Sequence, residues 1–239
     1  MYFSRSLCVL VLALLPSLAL AHHGQDFLLV ESPAIPHPGQ VYLIANADVA
    51  LDGDAEEQAG FEPALLFSVS PRVAFELHAH TEKLAGDSWR YEATAPAVHL
   101  LLTDPHRHDG LKVGLSAEYE IASHADDADN AEVRLAFEDS RDANKWAANL
   151  IASHEQGGDS DFGAALGFRR QLRDSFALGV EGQGSFRHAE GGEVLFAGYY
   201  EHAQTFAFKF GVGGVRGEDS GYTPMLRLGL VLRLRDGKH

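Results

Sequence analysis

Cysteine is almost absent from this 239-residue chain, and the single one, Cys8, sits close to the N-terminus. A disulfide framework, a thiolate metal site and a cysteine nucleophile are thereby excluded from everything that follows it. Basic residues are scarce as well, 19 Lys and Arg against 34 Asp and Glu for a formal charge of −15. Nucleic acid is not an expected partner of such a chain, because binding there begins with neutralising phosphates. Beyond residue 21 no apolar run is long enough for a membrane-crossing helix, and the mean hydropathy is −0.12. Proline is sparse at 9 residues, and with 46% apolar residues the chain is not of the disordered type. What remains is an acidic, foldable chain of single-domain size that has to hold together without staples.

Residues 1–21 read as a secretory signal peptide: Arg5 supplies the positive start, Leu7 to Leu15 the apolar stretch, and Ala19-Leu20-Ala21 a small-x-small cleavage site. The apolar stretch is short for a bilayer span and is interrupted by Pro16 and Ser17, and Cys8 is not placed for lipoprotein attachment. Residues 22–39, with Pro33, Pro36 and Pro38, read as an irregular periplasmic segment in which Phe27 to Val30 form either a short strand or a plug.

From residue 40 to 239 the ruling pattern is apolar/polar alternation, broken by turn residues every ten to fifteen positions. It predicts twelve strands over 40–51, 60–70, 72–80, 89–102, 111–122, 131–138, 145–154, 161–170, 175–187, 192–202, 204–214 and 222–234. In the third strand Val73, Phe75, Leu77 and Ala79 oppose Arg72, Glu76, His78 and His80; in the last, Leu226, Leu228, Leu230 and Leu232 oppose Arg227 and Arg233. One face is oily and the other carries charge of both signs. The fourth strand departs from the pattern: Pro96 interrupts it and the apolar phase slips between Ala93 and Val98, which predicts a bulge there.

A soluble two-sheet sandwich gives the same alternation with its apolar face inward. Strand lengths near those that cross a bilayer at a tilt, and aromatics such as Phe61, Trp89, Tyr91, Trp146, Phe162, Tyr200 and Tyr222 near strand ends, favour a transmembrane barrel with its charges inside. The connections favour it further. Those after odd strands are longer and acidic, as in Ala125-Asp126-Asp127-Ala128-Asp129-Asn130, whereas those after even strands are mostly tight, as at Ser70-Pro71, with 138–145 as the apparent exception. The expected fold is an all-β, antiparallel, up-and-down transmembrane barrel of about twelve strands. It belongs in the outer membrane of a Gram-negative bacterium, with both termini periplasmic.

The stretches Leu65 to Leu77, Gly167 to Glu181 and Pro224 to Leu234, with the phrasing "FSVSPRVAFEL", "LGFRRQLRDSFALGVEG" and "PMLRLGLVLRL", carry a resemblance to the bacterial outer-membrane barrels described as transporters of the phenol-degradation MetA-pathway type. The resemblance implies a barrel of about twelve strands and uptake of small, often apolar, molecules. One departure is plain: such barrels usually end on an aromatic residue, whereas here Leu234 is followed by Arg235-Asp236-Gly237-Lys238-His239.

Two constellations carry candidate chemistry. Glu76, Glu118, Glu120, Glu132, Arg134, Glu181, Arg187, Lys209, Arg227 and Arg233 fall on the polar face and are expected to line the lumen, either as a pore that filters ions or as cross-strand pairs that fill it. Histidine is over-used, 13 in all. His78 and His80 share a face with Glu76; His106 and His108 flank Arg107 in a turn; His22, His23 and His37 lie in the segment before the barrel. Copper or zinc is the ligand such groups would take, against the plainer reading that they are solvated polar residues.

No Gly-x-Ser-x-Gly elbow, phosphate loop or dinucleotide fingerprint is present, and Ser123-His124 and Ser153-His154 are neighbours that point to opposite faces of a strand. An enzyme is therefore not expected. The expected partners are outer-membrane lipid and lipopolysaccharide, the barrel-assembly machinery and a small solute that crosses passively. The alternatives are a metal-linked barrel and a closed structural or adhesive one.

Overall fold

The computed structural model describes residues 26–52, 57–106, 110–124, 127–187, 192–202, 205–216 and 221–237. The stretch 1–21 expected to be a signal peptide, and His22, His23 and His108, lie outside them.

Period-two alternation puts successive side chains on opposite faces of a strand, and a sheet whose outer face is continuously apolar has to close or be covered. The chain closes. Twelve strands follow one another: β1 (Val41–Ala50), β2 (Glu57–Ser70), β3 (Val73–Leu84), β4 (Arg90–Leu101), β5 (Lys112–Ala122), β6 (Asn130–Arg141), β7 (Asn144–Glu155), β8 (Ser160–Arg173), β9 (Phe176–Ser185), β10 (Glu193–His202), β11 (Phe206–Arg216) and β12 (Tyr222–Arg235). Each pairs antiparallel with its sequence neighbours, and β1 closes on β12 from Val41↔Arg235 to Ala50↔Met225. No helix occurs among the described residues.

The outward side chains decide between a membrane barrel and a soluble sandwich. Leu65, Phe67, Phe75, Leu77, Leu150, Leu166, Leu178 and Phe196 all face away from the interior and are exposed. Their alternating neighbours, such as Glu76, Asn149 and Glu181, are buried inside. Water on that outer face would be opposed by an apolar band circling the whole molecule, whereas lipid suits it. Trp89, Tyr91, Phe162 and Tyr222 crowd the outer surface at one end, and Trp146, Phe168 and Tyr200 at the other. These are the two girdles of a bilayer-spanning barrel.

Both described chain ends lie at the end of the tight turns. The connections there are 71–72, 142–143, 174–175, 203–205 and the longer 102–111. The expected long connection near 138–145 is in fact a two-residue turn, because β6 runs on to Arg141, β7 starts at Asn144, and Asp142 takes a positive φ of 53° to close it. The long exception is β4–β5.

The bulge in β4 is also displaced from where the pattern put it. The register slips at Glu92, between the pairs Thr81↔Tyr91 and His80↔Ala93. Beyond it Ala93, Ala95 and Ala97 face inward in an unbroken phase. Their apolar character makes both faces of the strand look oily, which mimics a slip. Pro96 faces outward, and the pairing of β4 with β5 is interrupted between Thr94↔Ile121 and Ala97↔Glu118, where proline has no N–H to donate.

Candidate functional site

The interior is divided in two along its length. At the terminal end it is filled by residues 26–40, which run inside the barrel before joining β1. Phe27, Leu29, Val30, Ala34 and Pro36 are buried there, and Leu29 and Val30 pack with the inward alanines Ala147, Ala165, Ala177 and Ala197. Small inward residues make the room. A side chain at Gly167 would begin 2.9 Å from the Phe27 ring, and one at Gly114 would begin 2.7 Å from Pro33 Cβ.

Polar anchors fix this inner segment. Only Gly39 and Gln40 pair with β2, at Ser68, so the backbone before them has to find acceptors and donors among side chains of the wall. The Glu181 carboxylate accepts from three successive amides, Leu28 (2.9 Å), Leu29 (2.7 Å) and Val30 (3.2 Å), and from the Tyr199 hydroxyl (2.6 Å). Such a run of N–H groups is an anion-binding nest built on this chain's own glutamate. Asn149 pairs with Glu31 like a strand neighbour, accepting from its N–H and donating to its carbonyl, each at 2.8 Å. Lys209 Nζ donates to the Phe27 carbonyl (2.6 Å), Lys145 pairs with Asp26 (2.7 Å), and Ser32 Oγ donates to Glu138 (2.6 Å). Arg169 donates to the Asp26 carbonyl (3.0 Å) and to Glu201 (2.5 Å), with its guanidinium against the rings of Phe27 and Tyr199.

Toward the other end the lumen opens into a vestibule of about 320 Å³, floored by residues 27–31. Seven carboxylates line it against two guanidinium groups, Arg134 and Arg227. Arg134 is held by Glu132 (2.6 Å) and Arg227 by both oxygens of Glu193 (2.7 and 2.9 Å), so the positive charges are already engaged. The acids left facing the space give it a negative field, concentrated by low-dielectric walls.

The sharpest cluster in the vestibule lies across β2, β3 and β5. Period two brings His78 and His80 inward from β3, with ring centroids 6.0 Å apart. Register brings Glu62 of β2 to 2.7 Å from His78 Nδ1. Glu118 and Glu120 of β5 come within 3.5 Å of His78 and 3.9 Å of His80. They reach across β4 because the inward residues between them are alanines. Below them Glu76, fully buried, lies 2.8 Å from His99 Nε2 and 3.5 Å from His78 Nε2, with neither oxygen aligned for a hydrogen bond. His99 in turn meets Glu31 of the inner segment (3.1 Å), which also accepts from Ser116 Oγ (2.8 Å). Burial works to raise the Glu31 carboxyl, but the His99 imidazole, the Arg134 guanidinium and the Ser116 hydroxyl outweigh it and hold it below the usual carboxylate range.

The residues expected to line a path thus divide. Glu76, Glu118, Glu120, Glu132, Arg134 and Arg227 face the vestibule. Glu181 and Lys209 face inward too, but they clamp the inner segment and are not open to a solute. Arg233 sits at the terminal mouth paired with Asp236 (2.8 Å). Arg187 does not line the lumen: β9 ends at Ser185, and Arg187 lies exposed at the rim, donating to the Ser160 carbonyl. Of the histidines, His78 and His80 come together, whereas His37 and His106 lie exposed at the opposite end of the barrel. Alternation alone did not single out Asn149, Glu62, His99 or the acid at position 31. Their partners lie between 16 and 118 residues away in sequence, and only the barrel brings them together.

No family model and no curated protein matches this chain. Solved structures do. The KdgM porin in complex with disordered oligogalacturonate superposes with a TM-score of 0.59 at 8% identity, covering 82% of this chain and 99% of that one. The COG4313 outer membrane channel from Pseudomonas putida F1 gives 0.56 at 12% identity, covering 84% and 97%. The Acinetobacter baumannii outer membrane protein Omp33 gives 0.50 at 11% identity, covering 82% and 98%. At these identities the likeness is one of fold: an outer-membrane type β-barrel.

Proposed function

We propose that the protein is an outer-membrane channel for passive passage of small solutes, preferring cationic ones, and held closed by its inner segment 26–40. The observation that carries this reading is the division of the lumen. A negatively charged vestibule, open at the loop end, stops at a segment that side-chain anchors attach to the wall along residues 26–32, its backbone pairing with β2 only at Gly39 and Gln40. A barrel whose interior served only as a packed core would have no need of the open half, and a permanent wall would be paired into the sheet.

The similarity of fold to porins and channels supports the reading, as does the resemblance of three stretches to the MetA-pathway type of transporter. The lining turns the solute class away from the apolar molecules which that resemblance implies, since a cavity lined by seven carboxylates is a poor place for an uncharged apolar solute. With β1 beginning and β12 ending at the tight-turn end, that end faces the periplasm and the vestibule faces outward, as short turns and long loops are placed in such barrels.

The test is the reversal potential of the refolded protein in a planar bilayer under a salt gradient. Openings that favour K⁺ over Cl⁻, with the preference reduced by Glu118→Gln and Glu132→Gln together, are the expected result. Openings that favour Cl⁻ would overturn the assignment of the vestibule as the filter.

A further inference from the structure

We propose that the corner of the vestibule formed by Glu62, His78, His80, Glu118 and Glu120 binds one divalent transition-metal ion of the zinc and copper class. This goes beyond the channel reading and needs only the vestibule, not an open path through the barrel.

Two groups of three ligating side chains share His80: Glu62, His78 and His80 on one side, and His80, Glu118 and Glu120 on the other, with the ligating atoms of each group within 4.8 Å of one another. In a tetrahedral zinc site bonds of about 2.0–2.1 Å put neighbouring ligand atoms about 3.4 Å apart. Closing either group of three around an ion therefore takes side-chain movements of about an ångström, which partly exposed side chains at the edge of a cavity can make. The mix of imidazole and carboxylate decides the class: imidazole suits zinc, copper or nickel, whereas calcium and magnesium sites are made of oxygens alone.

A cluster of acids on a lumen wall is not by itself a site, and two further features set this one apart. His80 Nε2 is buried with no hydrogen-bond partner, although buried ring nitrogens are normally paired. Immediately behind it the Glu76 carboxylate, only 1% exposed, lies 2.8 Å from His99 Nε2 and 3.5 Å from His78 Nε2, a buried acid whose charged neighbours are imidazoles. A ring nitrogen without a partner beside carboxylates, in a cluster with no Arg or Lys of its own, is what a bound cation would satisfy. The vestibule's two guanidiniums are turned away to Glu132 and Glu193. Glu62 lies 2.7 Å from His78 Nδ1 and Glu118 lies 3.5 Å from His78 Nε2, so the imidazole has a ligating carboxylate on either side.

The competing account is that protonated imidazoles alone neutralise these carboxylates. The two accounts separate in a metal titration. The full mature chain, refolded and shown to be a closed barrel by heat-modifiable gel mobility, is titrated with Co²⁺ followed by visible absorption, and the Co²⁺ is then displaced with Zn²⁺. One equivalent with a dissociation constant tighter than about 100 µM is expected. His80→Ala and Glu62→Gln should each weaken it by about tenfold or more, while the double variant His22→Ala, His23→Ala binds as the parent does. If His80→Ala does not fold, His78→Gln and the pair Glu118→Gln, Glu120→Gln carry the same readout.

Binding weaker than that threshold, binding unchanged in the cluster variants, or binding abolished only by the His22 and His23 changes would each overturn the proposal. Because the readout is absorption and not current, a barrel that never conducts can still confirm the site, and one that conducts can still refute it.

Discussion

Removing the Glu181 carboxylate should release the inner segment without unfolding the barrel. In the structure this one side chain accepts from the amides of Leu28, Leu29 and Val30 and from the Tyr199 hydroxyl, the last three of them buried. Hydrogen bonds to a charged acceptor contribute about 1.5–3 kcal/mol each, but four donors sharing two oxygens do not add up independently. Their joint loss in Glu181→Ala is taken as about 3 kcal/mol, which at 1.36 kcal/mol per tenfold is about two orders of magnitude in the docking equilibrium. The wall itself keeps its pairing: β9 retains its ladders to β8 and β10, which run through backbone atoms. Hydrogen exchange followed by mass spectrometry of the protein in nanodiscs reads the effect. Peptides covering residues 26–34 should exchange about a hundredfold faster in the variant, while peptides from β6 and β7 stay as they are. Exchange in 26–34 that matches the parent would show that the carboxylate does not hold the segment, and the reasoning would fail there.

Two further predictions address the same contact from other sides. Glu31 has its carboxyl held below the usual range by His99, Arg134 and Ser116, so its contribution to docking is present above its unfolded value, about pH 4.3, and is lost as pH falls through the lower folded value. Exchange of the inner segment should therefore accelerate only on strong acidification, and Glu31→Gln should flatten that dependence; an acceleration beginning near neutrality would contradict the assignment. At Gly114, an added Cβ would stand 2.7 Å from Pro33 Cβ, so Gly114→Ala should push the segment off the wall at a cost of about 1–3 kcal/mol and raise the frequency of channel openings. A variant with unchanged openings would mean that Pro33 has room to yield.

How much of this was legible in the sequence follows from where the signals come from. The strands were readable because lipid outside and polar groups inside impose opposite demands on alternate residues, and all twelve lie where the alternation puts them, within a few residues at each end. The one strand that misled, β4, did so for a physical reason. Its inward Ala93, Ala95 and Ala97 are apolar because they must be small enough for β3 and β5 side chains to meet over them, not because they face lipid. His78 and His80 were readable as a pair from spacing alone. Their partners Glu118 and Glu120 needed the order of strands, which no local pattern carries.

The clamp on the inner segment was the least legible feature. A glutamate in the polar phase of a strand looks the same whether it faces water or a nest of amides about 150 residues away in the chain. The trace it did leave was steric: inward glycines at 114 and 167, where a lumen filled by its own side chains would use larger residues, mark the places where another piece of backbone comes close.

The central claim, that the inner segment is the closed gate of a channel, is tested most directly by locking it. Cys8 is the only cysteine, so in a chain starting at His22 a pair introduced by Val30→Cys and Gly167→Cys stands alone. A Cβ at Gly167 lies 3.1 Å from Val30 Cγ2, within reach of a disulfide, and Phe27→Ala in the same chain removes the ring it would otherwise crowd at 2.9 Å, with Phe27→Ala alone as the control. Single-channel current of this variant is recorded oxidised and then after adding reductant to the same bilayer. The account expects silence when oxidised and cation-preferring openings on reduction; equal currents in the two states, with the disulfide verified by mass spectrometry, would contradict it.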